Sequence, residues 1–490
     1  MSRSVLLATA LLTAPLLLAE VPVVGQLSPV EALKPEPPAP AVPPTPAVPV
    51  MLNLDQALRF ALSNNYAIRQ ARERLREQEG LIVEVRADAL PNVTLDGNYS
   101  REDKSLDEGG QNNGGGGGDN ENYQNWTVGI HVRQVLYAGG GVKAALDAAS
   151  TTRTAAELDI TAVVNDVLLD VRTRYADVLL NRERIEVQEQ SVALLQEQLQ
   201  TVKNRFEAGS VSQFEVLTAE VALANAQPDL ISARNGFRIA VDALRQAIGY
   251  QASYVDSQRI PDFAGELVFT PVDYDLEASL SAARARRPEL LRLEQLEKAR
   301  ESGVTVARSD YLPEVYLTGG YEGRKSRFSN SVSDSVDGWV AGVEGSWAIF
   351  DGARTRGRVA QARAQLNQAR LSLSEQSLAV EVEVRRAISS LQEAAELAQA
   401  AAKVVEQATE ALRLADVRYK NGAATQLDVL QARVALTQAS LNRIEANYRH
   451  TIAVATLRRS IAETDTFLAP ETSAPASAPA APSAPAATTP

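Results

Sequence analysis

Apolar and polar residues alternate in four stretches of this chain, and each alternation predicts a β-strand with one apolar and one polar face. Val93, Leu95, Gly97 and Tyr99 fall on one side of the first stretch, with Thr94, Asp96, Asn98 and Ser100 on the other. Trp126, Val128, Ile130 and Val132 mark the second stretch, Val315, Leu317, Gly319 and Tyr321 the third, and Trp339, Ala341, Val343 and Trp347 the fourth. They form two predicted hairpins, over 92–135 and 314–348.

The remaining chain steps by three and four, the helical period. A helical stretch from Leu54 to Ala89, and another from Leu276 to Asp310, each runs into a Leu-Pro pair, where proline restricts the residue before it. After Gly139-Gly140-Gly141, or after Asp351-Gly352, comes a run of about 67 residues, roughly 100 Å long as a helix. In the second half Val384, Ile388, Leu391, Ala395, Ala398, Ala402, Val405, Thr409, Leu412 and Tyr419 mark a heptad seam, broken by Asp416. Its alanines allow close helix approach. Gly209 and Gly422 fit the left-handed turn that ends a helix, and returning helices run to about Ile248 and Ile461. Long helical hairpins are therefore expected over 141–248 and 353–461.

The two halves are copies. Leu54-Asp55-Gln56-Ala57-Leu58 recurs as Leu276-Glu277-Ala278-Ser279-Leu280, and Leu90-Pro91-Asn92-Val93 as Leu312-Pro313-Glu314-Val315, both at an offset of 222. Trp126-Thr127-Val128-Gly129 matches Trp339-Val340-Ala341-Gly342 at an offset of 213, so the first half holds nine extra residues before Trp126. Gly114 to Gly118 lies there, a polar loop tip. This sets the expected organisation: a first repeat over 51–250, a linker over 251–272 and a second repeat over 273–463.

The ends differ in composition. Arg3, the apolar run Val5 to Leu18 and the small residues near Ala19 read as a signal peptide within 1–25, cut after Ala19 or Gly25. Residues 26–50 are a proline-rich linker, and 464–490 an Ala/Pro-rich tail; neither composition can bury a core. The chain has no cysteine, hence no disulfide and no acceptor for a lipid anchor. Past the leader no stretch reaches the roughly 18 apolar residues of a spanning helix, so any passage through a bilayer falls to strands. A net charge of −12 argues against nucleic acid, whose phosphates call for Lys and Arg.

Catalysis finds little support. The two histidines, His131 in a strand and His450 in a helix, make a metal site or triad improbable, and the glycine run lacks the Gly-Lys-Ser/Thr ending of a phosphate loop. No enzyme activity, cofactor or metal is expected, and His131 is expected on the polar, lumen-facing side of the sheet.

Four strands cannot close a membrane barrel, which leaves no edge unpaired and needs at least about eight. Three copies would supply twelve. The expected fold is thus mainly α with membrane β, a tandem repeat giving four strands per protomer to a shared twelve-stranded trimeric barrel, with long antiparallel coiled-coil helices forming an α-barrel below. Tyr99, Trp126, Tyr321 and Trp339 would ring the outer interface with lipid, and Tyr137, Trp347 and Phe350 the inner one.

With these features the chain resembles the outer-membrane efflux protein (TolC-like) family. The resemblance rests on the Leu-Pro pairs, on Val135-Leu136-Tyr137-Ala138-Gly139-Gly140 and Ala348-Ile349-Phe350-Asp351-Gly352-Ala353-Arg354, and on two tip turns. The turns read Arg205-Phe206-Glu207-Ala208-Gly209 with Glu215-Val216-Leu217, and Arg418-Tyr419-Lys420-Asn421-Gly422 with Asp428-Val429-Leu430. It spans about 52 to 463. It implies a homotrimeric exit duct in the outer membrane, with its helices in the periplasm, opened by a periplasmic adaptor (membrane fusion protein) and an inner-membrane pump or ABC transporter, for efflux or type I secretion.

The resemblance also assigns sites. Arg205, Gly209, Arg418 and Gly422 would present the tips to the adaptor. Asp428 matches the first acidic position of the aperture, but the second is Gln431, so one ring of three carboxylates is implied. Crowded like charges attract cations and raise one another's pKa, so divalent cations would block the mouth. Tyr419 and Glu215 match a tyrosine and an acid that hydrogen-bond across the tip, while the family's arginine is replaced by Ala424, implying a looser resting state. A contrasting expectation is a periplasmic coiled-coil scaffold or adaptor without a pore. One helical hairpin would suit that, whereas two hairpins and two strand pairs suit the duct.

Overall fold

The computed structural model describes residues 51–101, 124–250, 260–325 and 334–463. The signal peptide, the proline-rich linker, the glycine-run loop tip, the first part of the inter-repeat linker and the Ala/Pro-rich tail lie outside them.

The described elements, in order, are β1 (Met51–Leu52), α1 (Leu54–Asn64), α2 (Tyr66–Ala87), β2 (Asn92–Arg101), β3 (Gln124–Ala138), α3 (Gly141–Glu207) and α4 (Gln213–Ile248). Then come β4 (Asp262–Phe263), α5 (Leu276–Arg286), α6 (Pro288–Ser309), β5 (Glu314–Lys325), β6 (Ser335–Ser346), α7 (Arg354–Lys420) and α8 (Gln426–Ser460). α3 and α7 are 67 residues each.

The first helical stretch of each repeat is not the single run that the periodicity predicted. It breaks at Asn65 and at Arg287, both in extended backbone with ψ of 132° and 119°. In the second repeat Pro288 disfavours a helical residue before it. In the first, Asn65 accepts the Ala67 and Ile68 main-chain N–H groups and so starts a new helix. α1 opens on a capping box, in which Asn53 and Gln56 exchange side-chain to main-chain bonds of 2.7 and 3.1 Å.

Two apolar clusters stabilise the helices, one centred in each repeat, and the first also takes in Ile444 of α8. Leu58 and Ile68 pack with Leu168, Val171, Val178, Val241 and Leu244; Leu280 and Leu290 pack with Val380, Val384, Leu391 and Leu457. Burial along α7 stops at Ala398, although its seam continues to Tyr419. The lower half of that seam therefore has no complete partner within one chain. α4 carries Pro228 in its interior, where one main-chain donor is missing.

Residues 260–267 strap the repeats together. β4 pairs in parallel with β1, the Tyr175 hydroxyl lies 3.0 Å from the Leu52 carbonyl and 2.5 Å from that of Ala264, and Arg182 donates to the carbonyls of Phe263 and Gly265. Glu183 of α3 accepts the Leu267 N–H, while Asn447 of α8 donates to the Leu267 carbonyl.

The four long strands form one antiparallel sheet in the order β2-β3-β5-β6. β2 and β6 are its edges, and neither has a second neighbour among the described residues.

Candidate functional site

The register gives each face of the sheet one chemistry. Tyr99 lies opposite Trp126, Leu95 opposite Ile130 and Val93 opposite Val132; Ile130 in turn faces Tyr321, which faces Trp339. This apolar face is bare: Leu95 is 72% exposed, Val343 67% and Trp339 78%. Even the innermost strand pair leaves Ile130 and Tyr321 in the open, so none of the described helices covers this face.

A bulge between Val135 and Tyr137 turns Tyr137 onto this same face, opposite Val315. Strict alternation from Val132 would have sent it to the other side. Near that end Trp347 donates its indole N–H to the Tyr311 carbonyl at 3.0 Å, and Ile349 and Phe350 are almost fully exposed.

The opposite face is polar. His131 sits between Thr94 and Gly320, as its place in the alternation predicts. Its imidazole occupies a slot kept open by glycine, since a Cβ at Gly129 or Gly320 would come within 2.8 or 2.9 Å of a ring nitrogen. The Arg133 guanidinium lies 3.8 Å over the Tyr316 ring, whose hydroxyl donates to Glu314 at 2.5 Å. Together with Asp88, Thr318 and Glu322 these residues line a cleft of about 830 Å³.

The far ends of the helical hairpins are built alike. At the first, the Gly209 N–H bonds the Phe206 carbonyl and the Ser210 N–H that of Arg205. At the second, Gly422 bonds Tyr419 and Ala423 bonds Arg418. Both are Schellman turns, with Gly209 and Gly422 at φ of 74° and 73°, where a side chain would be strained.

The tips also touch. The Arg205 guanidinium stands 4.9 Å over the Tyr419 ring, and the Gln426 amide donates to the Glu215 carbonyl at 3.3 Å. Tyr419 and Glu215 do not make the side-chain bond that the resemblance implied, because the buried Tyr419 hydroxyl has no hydrogen-bond partner. Arg418 reaches back to the Ala423 carbonyl of its own turn.

Asp428 and Thr425 form a capping box at the start of α8. The Thr425 main-chain N–H and hydroxyl both donate to the Asp428 carboxylate at 2.8 Å and hold it below the usual carboxylate range. Within one chain the cap thus acts opposite to the rise expected from crowding. Gln431, one turn later, is exposed.

The outer membrane efflux protein family model matches residues 57–250 and 279–463. The chain belongs to this family. Among its relatives, nodulation protein T of Rhizobium leguminosarum bv. trifolii is 25% identical over 398 residues, covering 80% of this chain and 82% of that one. Outer membrane protein TolC of Vibrio cholerae is 24% identical over 338 residues, covering 68% and 76%. The fold matches the crystal structure of outer membrane protein VceC from Vibrio cholerae with a TM-score of 0.70 at 19% identity, over 83% of this chain and 95% of that one. This outer membrane efflux protein is an exit duct and not an enzyme, with its sheet in the outer membrane and its helices in the periplasm.

The efflux protein also holds features that its sequence did not disclose. Arg287, 2% exposed, pairs with Glu289 at 3.0 Å and Glu383 at 2.7 Å, and Arg459 joins both acids to Asp166 of α3. Burial is the largest single influence and would raise the Glu289 pKa, but the Arg287 hydrogen bond, a main-chain bond and the charges of Arg287 and Arg459 together outweigh it and the net shift is downward. Arg433 of α8 was missed as well. Its signal was a cation on the same helix stripe as the buried Gln426 and Leu430. Among the described residues no cluster of His, Cys, Asp or Glu could hold a metal ion.

Proposed function

We propose that three copies of this chain close a twelve-stranded barrel by pairing β2 of one protomer with β6 of the next. The result is the passive duct of a tripartite efflux or type I secretion system. The observation that carries this is the four-stranded sheet, apolar and bare on one face, polar on the other, and unpaired at both edges among the described residues. In lipid such edges leave main-chain groups without hydrogen-bond partners, and only closure satisfies them.

The wet face, with His131, Arg133, Glu314 and Tyr316, lines the lumen, and Tyr99, Trp126, Tyr137, Tyr321, Trp339, Trp347 and Phe350 form the lipid girdles. Asp428 and Gln431 border the periplasmic aperture, with Tyr419 and Glu215 beside them. The exposed turns around Arg205, Gly209, Arg418 and Gly422 meet a periplasmic adaptor, which couples the duct to an inner-membrane pump or ABC transporter. A scaffold without a pore has no use for a sheet exposing Leu95, Val343 and Trp339 together. The test is fractionation and planar-bilayer conductance of the purified protein. A heat-modifiable trimer from the outer membrane that conducts ions is expected; a stable, water-soluble monomer would refute the proposal.

A further inference from the structure

Between the two hairpins of one chain, α8 runs against α3 along a line of polar rungs. Arg184 pairs with Glu445 at 2.7 Å and Thr437 meets Ser191 at 3.4 Å. Closest to the tip on this line, the Arg433 guanidinium donates to the Leu194 carbonyl at 2.5 Å, and its other terminal nitrogen lies 3.9 Å from Asp416 of α7. One side chain thus ties three helices from both repeats. It is 13% exposed, against 39% for Arg184.

The packing around it is open. Leu194 and Leu195 of α3, Ala226 of α4, Leu412 of α7 and Leu430 of α8 surround a cavity of about 450 Å³, which Arg433 also lines. At this level the cavity interrupts the apolar packing between the hairpins, and the arginine bridges it. Nearer the tip the hairpins are joined by the stacking of Arg205 on Tyr419 and the bond from Gln426 to the Glu215 carbonyl.

We infer that Arg433 is the positioning residue that latches the second-repeat tip against α3 and sets how tightly the resting duct is closed. The replacement of the family's arginine by Ala424 therefore does not leave the tips without a cationic tie; the cation comes from two turns further up α8. A guanidinium suits the place because its several fixed donors can serve a carbonyl and a carboxylate at once, where an ammonium is a single compact charge. Release moves the α7/α8 tip as a unit, since its own turn is closed by the Schellman bonds and by the Thr425–Asp428 box.

The inference rests on the duct reading, and the experiment separates the two. Full-length protein carrying Arg433→Met, Arg433→Lys, Asp416→Asn or Arg184→Met is reconstituted in planar bilayers, after each is shown to form the heat-modifiable oligomer. Arg433→Met should raise resting conductance several-fold, Arg433→Lys should restore part of the closure, and Asp416→Asn should have the smaller effect that its long pair implies. Arg184→Met, which cuts a rung far from the tip, should conduct like the parent. A conducting parent with an unchanged Arg433→Met variant, or an Arg184→Met variant that opens equally, overturns the latch alone. If Arg433→Met does not assemble, Arg433→Lys and Asp416→Asn decide: parental conductance in both overturns the latch. A parent that forms no oligomer and no conducting species overturns the duct reading and the latch with it.

Discussion

Asn65 and Arg287 stand 222 residues apart, at equivalent places in the two repeats, and each ties the break between two helices to the end of a returning helix. Asn65 donates its amide to the Ala247 carbonyl at 2.7 Å, and Arg287 donates its guanidinium to the Ser460 carbonyl at 3.3 Å. The neutral residue bonds main-chain groups only. The charged one is buried among Glu289, Glu383 and Arg459.

Removing the two should therefore differ in cost. Arg287→Ala leaves Glu289 with less compensation in a buried place, a loss of about 3–5 kcal/mol for a pair of this kind. The lower end applies here, because Glu383 is 35% exposed. Asn65→Ala loses one hydrogen bond and a cap, about 1–2 kcal/mol. Denaturant titration of the detergent-solubilised variants measures both, and equal losses would show that the ion network contributes nothing extra.

Stability should fall in mild acid through His450. Burial lowers its pKa, its Nε2 has no hydrogen-bond partner, and the Phe269 ring packs edge-on at 4.7 Å. Arg172, Arg458 and Glu266 line a cavity of which His450 is also a wall. With the folded pKa depressed, the unfolded chain binds the proton first. The stability present above the ordinary histidine range is lost as pH falls through that range toward the lowered value. His450→Leu should flatten this part of the pH dependence of thermal unfolding, and an identical slope in both proteins would exclude the imidazole as its source.

Cation block at the aperture should depend on Asp428 and persist into acid. Its cap keeps the carboxyl ionised below the usual carboxylate range, so block disappears only as pH falls through that depressed value. Asp428→Asn should abolish block by added divalent cation at neutral pH while weakening the capping box. Conductance with and without the cation decides, and full block of the variant would place the site elsewhere.

Opposite faces of one strand should respond oppositely to charge. Leu95→Arg puts a cation on the bare apolar face, at about 2–4 kcal/mol near the bilayer midplane. Thr94→Arg, next to it, points to the polar face and should be tolerated. The yield of heat-modifiable oligomer in the outer membrane reports the difference, and similar yields would mean that the sheet does not face lipid there.

Sequence alone determined the parts governed by local periodicity. A period of two assigned Tyr99, Trp126, Tyr321 and Trp339 to one face and His131 to the other, and the twofold recurrence located both 67-residue helices and their Gly209 and Gly422 turns. These depend on neighbours a few residues away, which a linear pattern records. Only the tertiary structure decided that the bulge after Val135 re-aims Tyr137, that the first helical run breaks at Asn65, and that Arg433 meets Leu194 and Asp416. Arg433 and Leu194 are 239 residues apart in the chain. A polar side chain on a helix announces that it needs a partner, but which carbonyl or carboxylate supplies it is fixed by how the helices cross.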